Sequence, residues 1–327
     1  MSISLSRAAA TVAALGLAVA GVTASGTAAH AAVKVKNAAQ LTKALKKAKP
    51  GTTIRLAKGV YRGSFSLTRS GTKKRPIKII ASKGAVLSGP SILKGVTLRL
   101  NGVRWVLVQG LTVQGGQKGV MLDRSRNVLL DRLTVRRSGM EGVRFRAHSS
   151  GNVLRGSWIH DTGLYKPEFG EGVAIGSPQG DMKNDRSHRN RVLHNRIGPN
   201  VRAEGIDAKE HTRGGTVNGN TFDGTGMSGK DSADSWIDVK GNDYVVFNND
   251  GIHALADGFQ VHSVVKGWGC GNVFKANLIN LTGAPGVNGT AYGVNAPDHS
   301  ADCATEVASD NTVIGGTAPT NPGLPFG

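Results

Sequence analysis

Six segments, beginning 22 to 33 residues apart, repeat one pattern: KGVMLDR (118–124), EGVRFRA (141–147), EGVAIGS (171–177), EGIDAKE (204–210), SWIDVKG (235–241) and DGFQVHS (257–263). Each carries apolar residues at its third and fifth places, from Val120 and Leu122 to Phe259 and Val261. Period two marks a strand with one buried face. Between them runs a second recurrent type, such as RNVLLDRLTV, GNVLRGSWI, RNRVLHNRI and GNVFKANLI, in which Asn or Gly leads into alternating residues and Asn returns at the corners. Such residues suit tight turns that need left-handed backbone. Periods of this size built from short strands, without helical patterning between them, predict an all-β right-handed parallel β-helix, a solenoid in which each coil touches only its neighbours.

A solenoid exposes unpaired backbone at each end, and an uncovered end recruits other chains. NAAQLTKALKKAKPG supplies a cover: Asn37 is a good N-cap, Leu41 and Leu45 share one helical face, and Pro50-Gly51 ends the run. Residues 1–31 read as a secretory signal, with Arg7, a small apolar run and an A-x-A site at Ala29-His30-Ala31. The expected organisation is therefore a signal peptide (1–31), one β-helix domain (32–316) and a loose Pro/Gly-rich tail (317–327). No later stretch reaches the roughly 18 apolar residues of a membrane helix, so a secreted, extracellular monomer without membrane attachment is expected. The two cysteines of such a chain, Cys270 and Cys303, predict one disulfide, worth about 3 to 4 kcal/mol for a loop of this length.

Charge is distributed unevenly. The net charge is +19, and residues 32–100 hold seventeen Lys and Arg but no Asp or Glu. That excess favours an acidic polysaccharide as partner. Nucleic acid is disfavoured by export, by the lack of a basic helix and by the scarcity of aromatics for base stacking.

The amphipathic helix, the following PGTTIRLAKGVYRGSFSLTRSGTKKRPIKIIASKGAVLSGPS and the coils of NGVRWVLVQGLTV type resemble exported right-handed β-helix proteins, nearest to polysaccharide lyases of the chondroitinase B and alginate lyase type. The resemblance covers most of residues 33–283. It implies β-elimination on a uronate-containing glycan.

With places three and five inward, places four and six project outward. One outward column reads Met121, Arg144, Ala174, Asp207, Asp238, Gln260; the other reads Asp123, Arg146, Gly176, Lys209, Lys240, His262. Coils about 4.8 Å apart and alternate residues about 6.6 Å apart make Asp207, Asp238, Lys209 and Lys240 a small square. Like charges stacked this closely cost energy unless something lies between them, which marks the square as a reaction site. β-Elimination needs removal of the proton α to a sugar carboxylate, stabilisation of the enolate-like charge and protonation of the departing oxygen. A neutral Lys209 beside the Lys240 cation offers the base, and His262 extends the column. Asp207 and Asp238 act on the lysine pKa in the opposite direction.

In the family, the base lysine follows a Ca²⁺-binding glutamate by five places, as Lys209 follows Glu204. The family's next outward Arg is Lys240 here, and its second metal-binding acid is Arg202, which could itself neutralise a uronate. Glu171 and Glu204, stacked at strand entries with Glu141 and Asp257, are the candidate ligands for Ca²⁺, which prefers oxygen. Arg144 and Arg146 in the columns, with His211, Arg213, Trp236 and Tyr165 in or beside long polar loops, are candidate substrate-binding residues. Two other readings remain open: a glycoside hydrolase using Asp207 and Asp238, and a non-catalytic glycan-binding or surface β-helix.

Overall fold

The structure is a computed structural model that describes residues 32–327; residues 1–31, read above as a signal segment, lie outside the described residues. The chain winds into three parallel sheets of eleven, ten and ten strands, here called A, B and C. Each coil gives one strand to each sheet: Arg104–Gln109 to A, Thr112–Gln114 to B and Lys118–Asp123 to C, after which the chain returns to A.

The repeat fixes the register. In sheet C, Val120 pairs with Val143, Val143 with Val173, Val173 with Ile206, Ile206 with Ile237 and Ile237 with Phe259. The fifth-place residues form a second inward ladder through Leu122, Phe145, Ile175, Ala208, Val239 and Val261, and both ladders are buried. A slip of one residue would expose every one of these side chains, so apolar burial locks the coils in place.

Corners are held by side-chain amides. Asn195, Asn220, Asn249, Asn277 and Asn311 stack in successive coils, all buried. From Asn220 onward each accepts on Oδ1 from the backbone N–H and the side-chain amide of the Asn before it, as Asn249 does from Asn220 at 2.9 and 3.0 Å. The amide nitrogen of Asn249 donates onward to Asn277 Oδ1 and to Val217 O. The ladder thus satisfies turn groups that lie too deep for water.

The expected cap is present. Helix Ala38–Lys47 buries Leu41, Ala44 and Leu45; Asn37 accepts from Gln40 N, and Gln40 accepts from Lys36 N in return. The segment expected to trail as a loose tail carries a strand. Ala318–Thr320 pairs with Tyr292–Asn295 at the end of sheet C, and Leu324 is buried. Pro319 is tolerated there because a terminal strand has a free side that needs no N–H. Cys270 and Cys303 are joined, with Cα atoms 4.6 Å apart and a sequence separation of 33.

Replacing Asn249 by Ala leaves buried turn groups of two coils unpaired. It should cost about 3 kcal/mol and lower the melting temperature by several degrees, whereas Arg132→Ala at an exposed corner should not. Equal melting of the two variants in a calorimeter would show that the ladder is dispensable.

Candidate active site

Sheet C carries the expected square. Asp207 and Asp238 are direct neighbours in the register of strands Ile206–Ala208 and Ile237–Val239. Lys209 and Lys240, one residue beyond each strand, turn back onto them. Lys209 Nζ donates to Asp207 Oδ2. Lys240 Nζ donates to Asp207 Oδ1 at 3.1 Å and to Asp238 Oδ2 at 2.5 Å. His262 Nδ1 lies 2.9 Å from Asp238 Oδ1, leaving the rest of the ring partly open. The result is one charged chain running Lys209, Asp207, Lys240, Asp238, His262 across three coils.

Beside the square stands a second group. Glu171, Glu204 and Asp207 bring one carboxylate oxygen each to within 4.8 Å of one another, all buried. Glu171 Oε2 is buried without a hydrogen-bond partner, and Lys209 Nζ stands 3.9 Å from its other oxygen. An all-oxygen donor set with an unsatisfied carboxylate suits a hard cation such as Ca²⁺, and Glu171, Glu204 and Asp207 are the residues that would hold it.

Electrostatics separates the groups. Burial, reinforced by the charge of Glu141, pushes the Glu171 carboxyl up to about 7. Burial and Asp207 hold Glu204 well above the usual carboxylate range. Asp238 goes the other way: burial opposes its charge, but Lys240 and His262 pull it far below. Burial alone would lower both lysines, yet Asp207 and Glu171 raise Lys209, and Asp207, Asp238 and Glu204 raise Lys240 further. The sequence-based expectation that each lysine lowers the other is therefore outweighed, because carboxylates outnumber cations around each ammonium. The bond to Asp238 raises His262.

These groups line a cavity of about 350 Å³ over sheet C. Two walls come from short 3₁₀ turns, Pro167–Phe169 and Lys230–Ser232, which meet above the strands. His262 and Val264 also line the cavity.

Comparison with known proteins places this architecture. The right-handed β-helix region family matches residues 95–267. The chain belongs to the right-handed β-helix family. Among solved structures, an alginate lyase from Paenibacillus sp. str. FPU-7 superposes on this β-helix protein with a TM-score of 0.81 and 40% identity, covering 89% of this chain and 99% of that one. A pectate lyase shares the fold at TM-score 0.60 and 16% identity, over 82% of this chain and 72% of its own. A lacto-N-biosidase from Eubacterium ramulus does so at 0.58 and 14%, over 84% and 64%. Comparison with curated proteins finds no match.

Several expected contacts of this β-helix protein lie elsewhere. Trp236 is 1% exposed and packs inside the barrel against Phe222 and Phe259, so it offers no face to a sugar. Arg144 is buried on Glu141, and Arg146 is taken up by Asp123 at 2.7 Å. His211 is buried, 2.8 Å from Gln179 Oε1 and edge-on to Trp268. Arg213 pairs with Asp243 at 3.1 Å. Arg202 packs under Gly163 and Gly170, at the base of the loop that carries the exposed Tyr165. None of these six lines the cavity, nor does Tyr165. Outward columns are not exposed columns: loops folded over sheet C bury them. Sequence reasoning missed Glu168, Phe169, Asp231 and Ser232, which line the cavity from those loops. The loops carry no periodicity, so only their length marked them.

Glu171 titrates near 7 when folded against an ordinary 4.5. Its contribution to stability is therefore complete below about pH 4.5 and lost as the pH rises through about 7. Glu171→Gln should melt higher than the parent at pH 8 and about equally at pH 4, and added Ca²⁺ should raise the parent's melting temperature more at pH 8 than at pH 5. Parallel melting profiles for parent and variant across that range would contradict the assigned burial of charge.

Proposed function

We propose that this protein is an exported polysaccharide lyase that cleaves a uronate-containing glycan by β-elimination. The carrying observation is the Lys209–Asp207–Lys240–Asp238–His262 chain set in a cavity on sheet C. The 40% identity to an alginate lyase over nearly the full length of both chains supports the reaction class and makes alginate the first substrate to test. The disulfide fits an extracellular setting, and no helix among the described residues is long and apolar enough to cross a membrane. The proposed partner is the acidic polysaccharide alone, met by a monomer.

The roles follow from position. Lys240, the more deeply tied lysine, remains an ammonium and balances the charge that grows on the uronate carboxylate as its α-proton leaves. Lys209, which also lines the cavity, takes that proton in its neutral form. His262, kept protonated by Asp238, faces the cavity and returns a proton to the departing oxygen. A divalent cation held by Glu171, Glu204 and Asp207 would add positive charge for the uronate carboxylate. Phe169, 42% exposed on the cavity wall, offers an apolar face to a sugar ring.

A hydrolytic reading has one observation in its favour. Glu171 holds its proton to about pH 7 and lies within 4.8 Å of other carboxylates, near the roughly 5 Å separation of retaining glycosidases. The pair Asp207 and Asp238 fits that role less well, because Lys209, Lys240 and His262 occupy the oxygens of both carboxylates.

Incubation with alginate, pectate and hyaluronan distinguishes the readings: elimination produces the ultraviolet absorbance of an unsaturated uronate, and hydrolysis produces reducing ends without it. Lys209→Met should lower kcat by about a hundredfold or more while leaving the melting temperature within a few degrees. With Lys209 largely protonated and His262 the acid, kcat/KM should climb about tenfold per pH unit and level off once His262 deprotonates. Full activity of the Lys209 variant would remove it from the mechanism.

A further inference from the structure

A second cavity is larger than the one over sheet C. It opens where the chain turns from sheet C into sheet A, encloses about 670 Å³, and is lined by Arg126, Lys183, Arg186, Arg189, His148 and His188 among others. It shares Asn127 and Gly151 with a second cavity of about 480 Å³ on the outer face of sheet A, so the two form one groove. The sheet A part has an apolar floor of Leu107, Leu129 and Val153, stacked in register, and is lined by Trp105. Neither cavity includes a carboxylate residue among its lining side chains, and neither shares a residue with the candidate active site.

Three features mark this groove as built for an anion. Asp185, buried beside the cations, is occupied elsewhere: its oxygens accept from the N–H groups of Ala147 and His148 and from the Ser187 hydroxyl. The buried Nδ1 of His188 has no partner, and burial with Arg189, Arg213 and Arg186 holds its pKa low. The third feature is backbone strain. One place in each coil at this corner is left-handed: Trp105, Asn127, Gly151, Arg189, Gly214, Asp243 and Gly271 follow one another through the register. Gly, Asn and Asp adopt that conformation readily and a bulky side chain less so, although Arg124, Arg132 and Arg137 also adopt it at other corners. The two coils that place Trp and Arg at this position put both into the groove.

We propose that this groove is a second, non-catalytic binding site for a strand of acidic glycan, with its carboxylates on Arg126, Lys183, Arg186 and Arg189 and its sugar faces on Trp105 and the apolar floor. The inference rests on the reading of the protein as acting on a uronate polymer. The groove then holds the polymer while the cavity over sheet C works on another part of it. A polyphosphate or nucleic acid would need only the cations and would gain nothing from the Leu and Val floor.

The test uses the full chain made inactive by Lys209→Met, so that binding is read without turnover. Long alginate should bind this chain, and the added pair Arg126→Glu and Arg186→Glu should weaken that binding about tenfold. Trp105→Ala should weaken alginate binding but leave polyphosphate binding unchanged. In the active protein the Arg pair should raise KM for long alginate at constant kcat and leave an alginate trisaccharide unaffected. Unchanged alginate affinity in the Arg pair, or equal loss of polyphosphate and alginate binding in Trp105→Ala, would overturn the proposal. If the parent eliminates nothing yet the groove variants still lose alginate, the lyase reading falls and the groove stands.

Discussion

Each coil of this protein must bend three times, and each bend turns backbone groups away from the sheets that would otherwise pair them. The Asn ladder at 195, 220, 249, 277 and 311 meets this constraint at one corner by lending side-chain amides to the turns of adjacent coils. A buried donor left alone costs about 1 to 3 kcal/mol, so such a corner admits few replacements. Once the corners repeat, the rise per coil is uniform. Uniform rise places Asp207 directly against Asp238, and Lys240 between them.

The site is thus a local exception made possible by a regular frame. Along most of sheet C the outward places carry mixed residues, but three consecutive coils bring Glu171, Glu204, Asp207, Asp238, Lys209 and Lys240 together with almost no solvent. Carboxylates there divide into two classes. Asp238, bonded to Lys240 and His262, stays charged, whereas Glu171 and Glu204, set one step back, hold their protons above the usual carboxylate range. Opposite behaviour in chemically identical groups a few ångström apart is the arrangement that acid and base chemistry requires.

Much of this was legible in the sequence because the information was periodic. Apolar residues at places three and five specify the inward ladders, and the same count specifies the register of the square. The capping helix was legible from Asn37, Leu41 and Leu45, and the disulfide from an even pair of cysteines. What was not legible came from segments without a period. Trp236 sits one place ahead of its strand, where alternation does not decide between barrel and surface, and it fills the interior. The turns Pro167–Phe169 and Lys230–Ser232 close over sheet C through contacts between distant insertions. Lysine protonation depended on a balance of neighbours that counting residues cannot weigh.

The segregation of charge along the coils has a mechanical consequence. A stack of ten coils is a rod about 45 to 50 Å long, and its cationic residues crowd the end that bears the helix while its acids begin only at Asp123. In a hydrated polyanionic gel such a rod feels a torque as well as a pull. It enters helix-first, already aligned with the polymer before any specific contact forms.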